Sequence, residues 1–259
     1  MPSPASIRAA FRRDGYYVAR GLFKPAQVKR LERAFDRIVA QNVRFDDAPN
    51  KRWRGEAVDR LKVGETTLIH THQVHFYSAE WLQAVQDPRF LDVAEAILGP
   101  DVVLHHTKLF QKPAEKGAPF PMHQDWSYFP SVKNTMIAAI IHVSPATDEM
   151  GCLRVYPGSH RLGRRKDTSG QVYSRFMEKN YPLDGGVAVE SKPGDVVFFS
   201  YFTVHGSKPN RSSRLRKTVL VQLYSGKDRI EPQVMHADSR LVLRGWSHVA
   251  SQAYCEGHR

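Results

Sequence analysis

The stretch DVVLHHTKLFQK, residues 101–112, marks where the chain changes texture. It is the first of five short runs rich in β-branched and aromatic residues. The others are TMIAAIIHV (135–143), GCLRVYPGSH (151–160), VAVESKPGDVVFFS (187–200) and RKTVLVQLYS (216–225). Gly, Pro, Asn and Asp punctuate them, as turns punctuate strands. Several strands at this spacing, without helices between them, predict an antiparallel sandwich or barrel. A polar excursion at 161–186 interrupts the runs, and loops of that length often act as lids or binding segments.

Upstream the pattern is helical. PASIRAAFRRDGYYVARGLF (4–23) predicts a short helix, a turn at Asp14-Gly15 and a strand over 16–20. The next segment places Val28, Leu31, Phe35, Ile38 and Val39 on one helical face, with Pro25 near its start. Residues 45–66 are polar and predict a long loop, a second candidate lid. SAEWLQAVQDPRFLDVAEAILGPD (78–101) predicts two helical pieces broken at Pro88 and stopped by Gly99-Pro100. The expected fold is mainly β with flanking α-helices. One domain is expected over 1–259, with a mainly helical part (1–100), a jelly-roll core (101–226) and a C-terminal extension (227–259) of little strand character.

The composition is globular, with 41% hydrophobic and 25% charged residues. The formal charge is +12 with a pI near 9.8, which suggests an anionic partner or serves solubility alone. Cys152 and Cys255 lie in no CxxC pattern, so a disulfide framework is not expected. The N-terminus lacks a signal-like apolar stretch, and the longest apolar runs are far short of a membrane span. A soluble, cytoplasmic protein is therefore expected.

Chemistry first shows in PMHQDWSYFP (121–130), where His123 and Asp125 form a His-x-Asp. With 12 His and 15 Asp in 259 residues, chance alone gives about 0.7 such tripeptides, so context must decide. In an extended segment, residues two apart point to the same face. Two histidines and one carboxylate on one face of a metal suit non-haem Fe(II) chemistry. A third ligand needs intervening strands to bring it back. His205, in KPGDVVFFSYFTVHGSKPN (192–210), is expected at the end of an aromatic-rich strand and meets that need. The other His-x-Asp, His236 and Asp238, has only 21 residues after it and is expected to be a solvated surface feature. Arg216, 11 residues beyond His205, could clamp a carboxylate bidentately, with Ser207 adding a hydroxyl.

These segments together resemble the phytanoyl-CoA dioxygenase family of Fe(II)- and 2-oxoglutarate-dependent oxygenases. RRDGYYVARGLF, LGPDVVLHHTKLFQKP, PMHQDWSYFP, GCLRVYPGSHRLG and the segment from Lys192 to Val219 support the likeness over roughly residues 10–226. The resemblance implies a double-stranded β-helix, a jelly-roll variant. It implies that His123, Asp125 and His205 ligate Fe(2+), and that Arg216, with Ser207 beside it, binds the distal carboxylate of 2-oxoglutarate. Arg214 shares the strand parity of Arg216 and is its rival. Family members also use an upstream basic residue for the cosubstrate. No lysine lies between Lys62 and Lys108, so His72 or Gln73 is expected to substitute. His70, His72 and His75 otherwise read as a polar rim. Trp126, Tyr128, Phe129 and Tyr201 are candidates for the pocket wall.

The implied reaction consumes O2 and 2-oxoglutarate, releases succinate and CO2, and oxidises an unactivated C–H of a small-molecule substrate. Asp125 stands where related halogenases have a small residue, so hydroxylation or another oxidation such as desaturation is expected. RLGRRK (161–166) could meet a phosphate or an acidic carrier, or simply be solvated. The substrate class stays open, with an anionic or carrier-tethered small molecule as one option. Membrane insertion is not. Nucleic-acid binding ranks last, because Lys and Arg are spread along the chain. The competing hypothesis is a cupin-type isomerase or small-ligand binding module that keeps the metal and needs no 2-oxoglutarate; it gives no reason for Arg216.

Overall fold

A computed structural model describes residues 2–45, 69–115, 117–165, 174–232 and 237–251. In chain order the elements are α1 (Pro4–Asp14), β1 (Tyr16–Ala19), α2 (Pro25–Phe45), β2 (Ile69–His72), α3 (Val74–Tyr77), α4 (Ala79–Val85) and α5 (Pro88–Leu98). Then come β3 (Val102–Lys112), β4 (Phe120–His123), β5 (Ile137–His142), β6 (Leu153–Val155), α6 (Arg175–Asn180) and β7 (Val187–Val189). Last are β8 (Val196–Ser200), β9 (His205–Ser207), β10 (Arg216–Ser225) and β11 (Leu241–Arg244).

The helices begin and end where local chemistry dictates. Ser3 Oγ accepts from Ser6 N, Pro4 sits in the first turn, and Gly15 at φ +79° closes α1. Asp87 caps α5 and Gly99 ends it. Val28, Leu31, Phe35 and Ile38 form the buried stripe of α2.

The strands form two antiparallel sheets. The larger has the order β1-β8-β5-β10-β3-β11, with β2 also pairing β3; the smaller has the order β4-β9-β6-β7. On one face of the large sheet, Phe198, Val219, Val221 and Leu223 pack with the helical residues Leu31, Phe35, Trp81 and Phe90. On the other face, Ala138, Val197 and Phe199 meet Leu153, Val155 and Val189 of the small sheet. Residues two apart along each strand therefore serve one packed layer, and their neighbours the other. The jelly-roll expectation is met. The large sheet also draws β1 and β2 from the helical part and β11 from the C-terminal extension, which corrects the expectation of little strand character there. β2 and β11 lie along the same edge of β3, at opposite ends of it. No helix among the described residues is long and apolar enough to cross a membrane.

Candidate metal centre and its cavity

His123 ends β4 and His205 begins β9, and the two are direct antiparallel partners. This corrects the placement of His205 at a strand end: β8 stops at Ser200, a turn follows, and the histidine opens the next strand. The pairing brings the two imidazole centres to 4.3 Å. After His123 the chain bends, and Asp125 N donates to Tyr201 O at 2.9 Å. The Gln124 amide reaches the other way and donates to Phe202 O at 2.7 Å. Asp125 Oδ1 then lies 3.3 Å from His123 Nε2 and 3.6 Å from His205 Nε2. Among the described residues, these three form the cluster of His, Cys, Asp or Glu that could hold a metal, with ligand atoms all within 4.8 Å.

Surrounding contacts fix the donor atoms. His123 Nδ1 lies 2.8 Å from Pro121 O, and His205 Nδ1 lies 2.9 Å from Thr203 O. Donation to those carbonyls makes Nε2 the atom that each ring turns to the cluster and could offer to a metal. Gln222 Nε2 donates to Asp125 Oδ2 at 3.2 Å. Burial drives His205 down to about 4, outweighing the pull of Asp125. Burial opposes the charged form of His123 too, but its hydrogen bond to Asp125 and the carboxylate's charge raise it overall. Burial would raise Asp125, yet the histidine partners and Gln222 hold it below the usual carboxylate range. Two imidazoles and one carboxylate form a donor set that fits Fe(II), which would take the place of any proton on Nε2.

A cavity of about 100 Å³ adjoins the cluster. A water needs roughly 10–15 Å³, so the space has room for about seven to ten waters. Phe110, Phe120, Ile140, Leu153, Phe199 and Leu220 supply apolar wall, and His142, Ser207, Arg216 and Thr218 supply polar groups. Arg216 stands directly opposite Lys112 across β10 and β3, and both are buried. Lys112 Nζ donates to Ser207 Oγ and to Lys208 O, each at 2.7 Å. Arg216 Nη1 donates to Gly151 O, while its buried Nε has no partner. Burial lowers Arg216 to about 10 and holds Lys112 well below its ordinary value, with Arg216 adding to the effect. Among the described residues no carboxylate pairs with either cation. Two buried like charges and an orphaned guanidinium N–H fit the carboxylate of a small dianion.

Of the residues expected at the site, the structure brings together His123, Asp125, His205, Ser207 and Arg216. Arg214 precedes β10 and is exposed. His72 and Gln73 lie outside the cavity lining. The Gln73 amide donates to Ala237 O at 3.2 Å, and His72 pairs with Lys108 across β2 and β3. Lys112 is the cation found beside Arg216. Sequence reasoning looked for a basic residue upstream of Lys108, whereas Lys112 shares the inward face of that same strand. His75 is not on a polar rim: it is buried, with Nδ1 2.8 Å from Thr107 Oγ1.

Asp238 is not a solvated surface group either. Tyr224 Oη donates to it at 3.0 Å, and burial raises it to about 6. His236, residues 46–66 and 166–173 of the candidate lids, and Cys255 lie outside the described residues. Arg161 donates to Arg13 O, and Arg164 to Asn134 Oδ1 and Glu231 Oε1, so these two arginines of the basic run brace neighbouring segments. Phe129 and Tyr201 belong to a core cluster with Tyr224 and Met136, and Trp126 and Tyr128 pack against it. The Tyr128 ring also meets that of His123 edge-on at 6.4 Å.

Ectoine dioxygenase of Sphingopyxis alaskensis is 27% identical over 250 residues, covering 89% of this chain and 78% of that protein. The crystal structure of EctD from S. alaskensis with bound Fe is similar with a TM-score of 0.72 at 26% identity, covering 94% of this chain and 85% of that one. The crystal structure of the non-heme alpha ketoglutarate dependent epimerase SnoN from nogalamycin biosynthesis has a TM-score of 0.75 at 21% identity, covering 94% of this chain and 100% of that one. At that identity it speaks for the fold alone. The profile of the family Phytanoyl-CoA dioxygenase (PhyH) matches residues 11–218, most of the sequence, and the chain belongs to that family.

Proposed function

We propose that His123, Asp125 and His205 ligate Fe(II), and that 2-oxoglutarate occupies the cavity with its distal carboxylate on Arg216, Lys112 and Ser207. The chain is an Fe(II)- and 2-oxoglutarate-dependent dioxygenase acting on a small molecule. The facing pair of buried cations, in the same cavity as a two-histidine, one-carboxylate cluster, supports this most strongly. An isomerase or binding module with a metal alone has no use for that pair.

Iron, 2-oxoglutarate and O2 together supply, when bound, an oxidation that yields succinate and CO2 and oxidises a substrate C–H. The chain's own residues do the positioning. The Pro121 and Thr203 carbonyls hold the imidazole N–H groups, so both Nε2 atoms stay available to the metal. Gln222 restrains the Asp125 carboxylate. Arg216 and Lys112 orient the cosubstrate by its far end. Phe110, Phe199 and Leu220 keep the intervening space apolar, which strengthens each charged contact. Asp125 supports hydroxylation or another oxidation such as desaturation over halogen transfer, because the carboxylate fills a halide's place.

The substrate is anionic or carrier-tethered in this proposal; the net charge of +12 supports it. Nucleic acid is not the partner, and the cytoplasm is the site of action. Residues 1–259 act as one domain, supported by the core that the helices share with the large sheet. Anaerobic protein given Fe(II) and 2-oxoglutarate, then exposed to O2, should release succinate, faster with a substrate. Failure of the Fe(II) protein to bind 2-oxoglutarate would sink the proposal.

A further inference from the structure

The inward face of β3 carries a second lysine besides Lys112. Side chains two apart on a strand share a face, so Lys108, Phe110 and Lys112 face the same way. Lys108 stands opposite Leu220 on β10 and opposite His72 on β2. Leu220 and Phe110 both line the cavity, and the Lys108 ammonium lies 5.0 Å from the centre of the Phe110 ring. The side chain is half-buried, and its desolvation brings the pKa down to about 8, even against the charge of Asp125. Among the described residues no hydrogen bond or ion pair engages this ammonium.

The neighbouring groups are committed elsewhere. Lys112 donates to Ser207 and Lys208, and Arg216 to Gly151. Asp125 gives Oδ2 to Gln222, and its Oδ1 faces the two histidines. A strand advances about 3.3 Å per residue, so Lys108 and Lys112 are roughly 13 Å apart along β3. A five-carbon dicarboxylate running from Arg216 to the metal cluster uses one end of this space. Lys108 itself stands just outside the cavity lining, next to the wall residues Phe110 and Leu220, and its positive charge is unanswered among the described residues.

We propose that Lys108 anchors the substrate: its ammonium binds an anionic group, a carboxylate or a phosphate ester, and so sets which C–H faces the metal. This rests on the oxygenase function proposed above. A lysine is a compact point charge that serves either anion. Leu220, Ile140 and Phe110 suit an alkyl segment attached to that anion.

The test compares the unmodified protein with Lys108→Met and Lys108→Arg, each loaded anaerobically with Fe(II) and 2-oxoglutarate. The probes share one alkyl chain: hexanoate, hexyl phosphate, hexanamide and hexylamine. Binding is read by tryptophan fluorescence, and cosubstrate loading by the Fe(II)–2-oxoglutarate charge-transfer absorption. The unmodified protein should bind an anionic probe and neither the amide nor the amine. The stronger of the two anions identifies the headgroup. Lys108→Met should weaken that probe at least about tenfold, as expected for loss of a hydrogen bond from a charged group. Lys108→Arg should restore it to within about threefold, and the absorption band should persist in all three proteins. Equal binding by Lys108→Met, or no preference for anions, overturns the inference. A lost band in Lys108→Met alone assigns the lysine to the cosubstrate and also overturns it. A band absent from the unmodified protein overturns the oxygenase function itself, and this inference with it.

Discussion

Lys112 on β3 and Arg216 on β10 are direct antiparallel partners, and both are buried. Like charges opposite each other on a sheet repel, and each lost water on burial. The pair is therefore best satisfied when an anion lies against it. Arg216→Met should leave the ligand-free protein about as stable as before, since a buried, uncompensated cation is removed. It should raise the 2-oxoglutarate concentration needed for thermal stabilisation of the metal-loaded protein at least about tenfold. Arg214→Ala, at an exposed position, should change that concentration less than about twofold. An equal effect from the two variants would reassign the clamp.

Gln222 touches the proposed metal only through Asp125, whose Oδ2 it holds at 3.2 Å. Outer partners of this kind typically account for about 10–100-fold in metal affinity. Gln222→Met should lower Fe(II) or Mn(II) affinity by that factor in anaerobic titration calorimetry while the fold stays intact. Unchanged affinity would show that Asp125 needs no restraint from β10.

His142 gives a stability prediction with a definite sign. It is buried, and burial with the nearby Arg216 lowers it to about 4 from an ordinary 6.5. Above pH 6.5 both folded and unfolded states are neutral at this residue, and its contribution is fully present. As pH falls from about 6.5 to 4 the unfolded state takes up the proton first, and stability is lost. The full shift corresponds to about 3 kcal/mol. Denaturant unfolding of His142→Leu and the unmodified protein should show the variant gaining relative stability by up to that amount across this window. Parallel curves would refute the assignment.

Asp238 has the opposite slope. Its folded value of about 6 lies above the ordinary 3.8, chiefly through burial. Its contribution is fully present below pH 3.8 and is lost as pH rises through 6. Asp238→Asn should be neutral or slightly destabilising near pH 3.5. Above pH 6.5 it should gain about 2 kcal/mol, after about 1 kcal/mol is lost with one hydrogen-bond acceptor. The same unfolding series read at both pH values decides it.

Long strands and helices were legible in the sequence because they repeat a pattern often enough to be seen. β3, β5 and β10 are runs of six or more residues rich in apolar and β-branched side chains, and α2 repeats its apolar stripe over several turns. β9 is three residues, His205–Ser207, and its Gly-Ser reads as a turn. Only pairing with β4 and β6 makes it a strand. The convergence of His123 and Asp125 with His205 was legible as a demand for a returning strand, but not as a cross-strand pair. Lys112 escaped notice because its role depends on Arg216 facing it from β10. Asp238 likewise depends on Tyr224, on the strand before it.

The two histidine N–H groups are held by backbone carbonyls, at Pro121 and Thr203, and no side chain takes part. Apart from Phe199, whose ring centre lies 4.6 Å from that of His205, substitutions in the cavity wall therefore leave the imidazole orientation untouched as long as the strand register survives. Ile140, Leu153 and Leu220 can drift in size and shape without disturbing the donor atoms. The chemistry is inherited from the main chain and the selectivity is written in side chains, so the two can evolve separately on one scaffold.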